Sequence, residues 1–268
     1  MTEVLESIAV ELAGPEEDEC PFPHSEPDPT PDNYWSNNSI QLGNALARES
    51  ANNVQLHLPH LEETKIEIGS SASKKEYKAT YNPHHLLPGG AAWPKTALKK
   101  WIDKKKEGLV RSDIGYNVNC YENGIDLPSS NAMRGNWTGQ LPDFQKAYAF
   151  AAMDADAVRR QFHDSHKAYS DFAVKVLDKI AAKLDGQLEA GKVGCDDKYC
   201  LAKGGEPYPT PEIMPRILAT GARFAKCLWG DAATWRKPIF TSKYALMYQN
   251  RSLSHAQAQA ELSPDLFD

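Results

Sequence analysis

No stretch of this chain approaches the roughly 20 consecutive apolar residues that span a bilayer, so no membrane-spanning helix is expected. Cysteine is scarce: Cys20, Cys120, Cys195, Cys200 and Cys227 make an odd set of five, which is not a secreted disulfide framework. Cys195 and Cys200 can close a small loop or stay as thiols; without a second Cys/His pair at zinc-finger spacing, both readings precede a structural zinc. The first 19 residues lack a basic start and an apolar core, so no conventional secretory signal is expected and export would need a dedicated apparatus. Residues 1–32 contain no Lys or Arg at all, yet hold ten acids among several prolines. Such a segment cannot bury a core, and it is expected to be a flexible arm behind a short leading helix.

What is present fits a soluble globular protein: 268 residues, 41% hydrophobic, 25% charged, net charge −6. The average hides a polarity, because residues 74–112 carry ten Lys/Arg against three acids. A basic run of this kind gains affinity for phosphate backbones by counterion release, or it is simply a solvated helix face. Trp93-Pro94 is expected to open that helix, with Leu98, Trp101 and Ile102 as its apolar stripe and Gly108 at its end. Its lysines Lys95, Lys99, Lys100, Lys104, Lys105 and Lys106 suit phosphate contact better than base reading, since Lys acts as a point charge.

The informative stretch is Thr80-Tyr81-Asn82-Pro83-His84-His85-Leu86-Leu87-Pro88-Gly89-Gly90. Residues 81–87 make a short segment, and Pro83 marks its first half as an edge strand or a strand entry. If the segment is extended, the imidazoles of His84 and His85 point to opposite faces, so one can bind a metal while the other addresses a substrate. Downstream, Asn123-Gly124 signals a tight turn, and Ile125-Asp126-Leu127 reads as a short strand able to pair with the His-His segment. Residues 144–184 are expected to be mostly helical with a break near His163-Asp164-Ser165. Ser165 can cap a helix from His166, whose apolar face is read as Phe172, Val176, Ile180 and Leu184.

The His-His-Leu-Leu-Pro core, the Gly-Tyr-Asn-x-Asn lead-in to Asn-Gly-x-x-Leu-Pro and the His-x-x-Tyr at a helix start together resemble the HNH/endonuclease VII superfamily. Within it they resemble the bacterial toxin nucleases named for an Ala-His-His motif. Pro83 stands where the namesake has Ala, and the resemblance covers residues 77–184. It implies an α+β fold with a ββα-metal (His-Me finger) core, a helical insertion between its strands, and a mostly helical surround. By resemblance His85 is the general base and His84 and His166 are metal ligands, with His163 as an alternative ligand. Asn123 shapes the loop and orients the base; Tyr169 contacts a phosphate or holds the ligand shell.

The cofactor implied is one divalent cation, Mg²⁺ first, with Zn²⁺, Mn²⁺ or Ni²⁺ favoured if the ligands are imidazoles. The activity implied is DNA phosphodiester hydrolysis with little sequence preference, in an antibacterial effector made in the bacterial cytoplasm. Delivery into a target cell by an apparatus such as type VI secretion then implies a carrier or adaptor for the N-terminal arm. It also implies a cognate immunity protein, whose acidic surface would dock on residues 95–106. Rival readings are a binding protein with a structural metal and a ribonuclease. The expected organisation is an arm at 1–32, a nuclease domain at 33–190 and a helical extension at 191–268. Strands are expected at residues 54–58 and 64–68, a short helix at 40–46, and further helices at 217–229 and 244–262.

Overall fold

A computed structural model describes residues 37–52, 62–70, 72–99, 117–133, 135–189, 213–236 and 239–261. The acidic arm, the strand expected at 54–58, Cys20, Cys195, Cys200, Lys100 and residues 101–116 lie outside the described residues.

The architecture is α+β: a small antiparallel sheet of three strands among helices. Strand β1 (Thr64–Ile68) pairs with the first half of β2 (Lys75–His85), and β3 (Gly124–Ser129) pairs with the second half. The expected strand at 64–68 is present, and the His-His segment is the end of a strand far longer than residues 81–87. Pro83 does not break it, for a reason visible in the register. The Leu86 N–H donates to the Asn123 carbonyl, and His84 lies opposite Ile125. Hydrogen-bonded pairs therefore fall on the even positions of β2, and the nitrogen of Pro83 faces away from β3, where no ladder bond is lost.

The same alternation gives the ribbon of β2 and β3 two faces. Pro83, His85 and Gly124 share one, which is covered by α1 (Ser39–Asn52). A Cβ on Gly124 would sit 2.6 Å from Leu42 Cδ1, and one on Gly43 would sit 3.0 Å from Pro83 Cγ. The Asn123-Gly124 pair, expected as a tight turn, is instead a 3-10 turn running into an extended glycine (φ −129°). The glycine is there because a helix lies directly on the strand. Asn82 and His84 occupy the other face, toward helix α4 (Lys167–Glu189).

Of the helix expected from Trp93 to Gly108, residues 93–99 are described, and they are interrupted at Thr96. Gly89–Ala92 forms one turn of helix (α2) and Trp93–Lys95 a 3-10 turn; Thr96 is then extended (φ −89°, ψ 143°). Thr96 Oγ1 donates to Asp178 and accepts from the Leu98 N–H, so the chain is tied to α4 and restarts there.

Helix α3 (Pro142–Ala155) and α4 flank a break wider than the one expected at 163–165. Residues 156–166 open in a turn, with Arg159 at φ 55°, then bridge to neighbouring segments at Arg160 and His163 and are held from several sides. Arg160 pairs with Asp156 while both are buried, Gln161 N–H donates to Leu228 O, His163 N–H to Pro128 O and Asp164 N–H to Thr241 O. A desolvated ion pair of this kind costs roughly 3–5 kcal/mol to break from one side. Helix α4 buries Leu184, as expected, together with Tyr169, Ala173, Leu177 and Ala181, the last three one residue on from the expected Phe172, Val176 and Ile180. Phe172, Val176 and Ile180 pack at its flank.

Of the residues read as a C-terminal helical extension, the described ones pack on the same interior. Helix α5 (Ile213–Lys226) contributes Ile213, Ile217 and Phe224 to the cluster that holds Leu86, Leu87, Ile125 and Tyr169. Helix α6 (Lys243–Glu261) joins α3 and β1 in a second cluster, with Tyr244 and Tyr248 beside Tyr148, Met153 and Ile66. Trp137, in the loop before α3, packs against Tyr148, Phe162 and Tyr244. Among the described residues no helix is long and apolar enough to cross a membrane.

Candidate metal centre

The alternation along β2 sends His84 into the interior, and the bridged segment before α4 brings His163 and His166 to meet it. The centroids of the three rings form a near-equilateral triangle of 5.0, 4.9 and 5.0 Å. One nitrogen from each ring lies within 4.8 Å of the others, and His163 Nε2 is 3.1 Å from His166 Nε2. Two nitrogens bound to one ion at about 2.1 Å stand roughly 3.0–3.4 Å apart, so that pair already has ligand spacing. His84 Nε2 is buried without a hydrogen-bond partner. An orphaned buried polar atom is costly, and a cation accounts for its lone pair better than a neighbouring protein group does.

The electrostatics favour the ligand form. Burial first, and then the imidazoles of His163, His166 and His85, hold His84 well below the ordinary histidine value. Burial, then His166 and His85, pushes His163 down to about 3. His166 is also lowered, chiefly by burial. Three neutral imidazoles facing one point are a donor set for a divalent ion of borderline softness. Both histidines that compete for the second ligand position in the sequence are therefore present together. His163 reaches the site through the segment bonded to β3, a long-range contact with no local sequence signal.

His85 lies on the opposite face of β2, as the alternation requires, and its side chain meets Asn119. Asn119 Oδ1 accepts from the Asn38 N–H at 2.8 Å, an unambiguous donor, while its Nδ2 donates to Gln41 Oε1 at 3.3 Å. The amide is thereby oriented, and the atom facing His85 Nε2 at 2.8 Å is an oxygen. His85 must carry its proton on Nε2, which leaves Nδ1 with a lone pair. Burial lowers the pKa of His85, the Asn119 bond opposing it, so the ring is neutral near pH 7. That is the state a general base needs. Asn119 was present in the sequence only as the last residue of the Gly-Tyr-Asn-x-Asn lead-in, and no role was legible for it there.

Asn123 is 1% exposed and makes three bonds that pin the loop after the His-His pair. Its Oδ1 accepts from the Leu87 N–H, and its Nδ2 donates to Leu87 O and Val118 O. It shapes the loop, while direct orientation of His85 falls to Asn119. Tyr169 is wholly buried; its hydroxyl donates to Leu86 O at 2.7 Å and its ring packs edge-on to His84 and His166. Of its two expected roles, this placement suits holding the ligand shell and leaves no hydroxyl for a phosphate.

His84, His85, His163 and His166 line one cleft of about 280 Å³ with Asn37, Asn82 and Pro88. Lys95 is exposed and Lys99 half-buried; Lys104 and Lys105 lie outside the described residues, as does Lys100. Part of the basic surplus is already spoken for, since Lys74 and Lys78 pair with Glu67 and Glu63 across β1 and β2. A larger cavity of about 530 Å³ lies between α3 and α6. Its cations are engaged: Lys146 sits over Phe150, Lys243 over Tyr244, and Arg251 over Phe150 and Tyr248 while bonded to Asp154. It has no convergent acid–base or ligand set, so the histidine cleft is the better candidate for chemistry.

No protein-family model, curated protein or solved structure matches the chain.

Proposed function

We propose that the chain is a metal-dependent endonuclease that hydrolyses DNA phosphodiester bonds with little sequence preference, and that β2, β3 and α4 form a ββα-metal core. The observation carrying the reading is one cleft with two distinct chemistries. His84, His163 and His166 converge from one face of the ribbon as candidate ligands, and His85, the next residue along β2, lines the same cleft with its Nε2 held by Asn119, which leaves Nδ1 as its free nitrogen.

In this reading His85 Nδ1 takes a proton from the attacking water, while the Nε2–H bond to Asn119 keeps the ring in the reactive tautomer. A divalent cation on the three imidazoles would supply Lewis acidity to the phosphate and the departing 3′ oxygen. Tyr169 holds His84 and His166 from behind. Three imidazoles shift the expected metal from Mg²⁺ toward Zn²⁺, Ni²⁺ or Mn²⁺, since hard cations prefer oxygen. Lys95 and the lysines that follow would contact phosphates, consistent with weak sequence preference. A role as a delivered toxin with an acidic immunity partner rests on family resemblance alone. Reversing the charge of Lys95 and Lys99 should weaken such a partner's binding and reduce its salt dependence.

The near-complete burial of His84 also fits a closed structural site in a binding protein. Incubating the purified chain with supercoiled plasmid and with RNA, with and without EDTA, separates these readings. Nicking that EDTA abolishes, and that His85→Ala abolishes while metal stays bound, supports the nuclease. Metal retention with no cleavage of either substrate supports the structural site, and cleavage of RNA alone makes it a ribonuclease.

A further inference from the structure

Asn82 precedes His84 by two positions, so its side chain lies on the same face of β2 and reaches the same cleft. Its Nδ2 stands 3.3 Å from His163 Nδ1, and on the far side of that ring Nε2 stands 3.1 Å from His166 Nε2. The three groups form a chain whose internal logic is fixed by donor and acceptor counting. With an amide N–H donating to it, Nδ1 of His163 is the acceptor, and the ring proton resides on Nε2, pointed at His166. That arrangement is self-consistent for a metal-free protein, yet it is the wrong one for a ligand: the nitrogen facing the site is occupied by hydrogen. A ligating Nε2 requires the proton on Nδ1, and Nδ1–H requires an acceptor. The same side chain supplies one if the amide turns end for end and presents Oδ1.

We propose that Asn82 is a two-position latch on His163: amide nitrogen toward the ring in the metal-free protein, amide oxygen toward it when a cation is held. The switch moves a proton from Nε2 to Nδ1 of the same neutral ring, so no net proton enters or leaves at this residue. The backbone of His163 does not have to move, since its N–H is bonded to Pro128 O at 2.7 Å. A group bonded to the outer nitrogen of a ligand histidine sets its tautomer and ring direction, and its loss commonly weakens metal affinity 10- to 100-fold. Asn82 differs from a carboxylate or a carbonyl in that position because it stabilises both tautomers, so the site stays intact when empty. Asn82 is therefore a positioning residue for the ligand set. This inference rests on the three-histidine metal site and not on the identity of the substrate.

The test is calorimetric titration of Zn²⁺ into the metal-free full chain, comparing wild type with Asn82→Ala, Asn82→Leu and Asn82→Asp. It is coupled to ¹⁵N shifts of His163 Nδ1 and Nε2, which report the tautomer directly. Alanine and leucine should each weaken Zn²⁺ by about 10- to 100-fold. Aspartate, which can only accept, should hold Nδ1–H without metal and bind at least as tightly as wild type. In wild type the ¹⁵N pattern should change from Nε2–H to Nδ1–H on metal addition. Equal affinities across the four proteins, or a His163 tautomer that does not respond to metal, would overturn the latch. If wild type itself binds no Zn²⁺, the metal centre fails first and the latch with it. Thermal unfolding of each variant separates a folding defect, and if alanine does not fold, the aspartate and leucine pair still decides the question.

Discussion

Replacing Asn119 tests whether His85 is held as a base. Its Oδ1 takes two bonds of 2.8 Å, from His85 Nε2–H and from the Asn38 N–H, and its Nδ2 gives one of 3.3 Å to Gln41. At about 1 kcal/mol per neutral bond, Asn119→Ala should cost roughly 2–3 kcal/mol of stability, more if the Asn38 N–H stays dry. The catalytic effect has two parts. Losing one bond worth about 1 kcal/mol shifts the tautomer balance of His85 about five-fold. Losing the ring's direction adds to this, up to the ceiling of about 10²- to 10⁴-fold for general-base catalysis as a whole. A loss of tens- to hundreds-fold in metal-dependent plasmid cleavage is expected, with Zn²⁺ affinity unchanged because the ligands occupy the other face of β2. Asn119→Asp should retain most activity and move the basic requirement to higher pH, since a carboxylate raises the imidazole's pKa. Full cleavage by a folded Asn119→Ala protein, or a loss explained wholly by weaker metal binding, would refute the assignment.

Four further outcomes follow from the same geometry. Tyr169→Phe leaves the Leu86 carbonyl without its donor and should destabilise the chain by about 1–3 kcal/mol in urea titration; if Tyr169 contacts substrate instead, KM will change with stability intact. Gly124→Val should cost about 1–3 kcal/mol by forcing α1 off the ribbon, because the added Cβ falls 2.6 Å from Leu42; an unchanged melting temperature would contradict that packing. His163→Ala should lose metal and cleavage together, whereas His85→Ala loses cleavage alone, as metal analysis and plasmid nicking of the same samples will show. The metal-free chain should be most stable above about pH 6.5 and weaken as pH falls toward 3. His84, His163 and His166 have folded pKa values below the unfolded one, so the unfolded chain binds more protons over that window. Denaturant midpoints that stay flat from pH 7 to 4 would show that the three rings are not buried together.

The ribbon and its helix were legible because they depend on short periods. Alternation alone separates His84 from His85, and a run of apolar residues at helical spacing identifies α4. What escaped was decided at long range or by exceptions to local rules. Pro83 reads as the mark of an edge strand or a strand entry, yet its position in the hydrogen-bonding register costs no ladder bond and lets β2 run back to Lys75. Gly124 reads as a turn residue, yet a helix needs the space a side chain would fill. The segment 156–166 has no periodicity of its own, and its course is set by bonds to Pro128, Leu228 and Thr241. That is why His163 competed with His166 in the sequence and joins it in the fold. Helices α5 and α6 carry no motif, and their apolar faces, packed in the clusters that hold Tyr169 and Tyr148, escape a reading by motif. Asn119 is polar in a loop, a context in which nothing but coordinates reveals an oriented amide.

The account stands on one cation held by three imidazoles. Metal analysis of the dialysed chain after Zn²⁺ loading measures this directly, alongside His84→Ala, His163→Ala and His166→Ala. One ion per wild-type chain and a large loss of affinity in every single variant is the result the geometry predicts. No bound ion, or binding that survives removal of any one of the three rings undiminished, would contradict it.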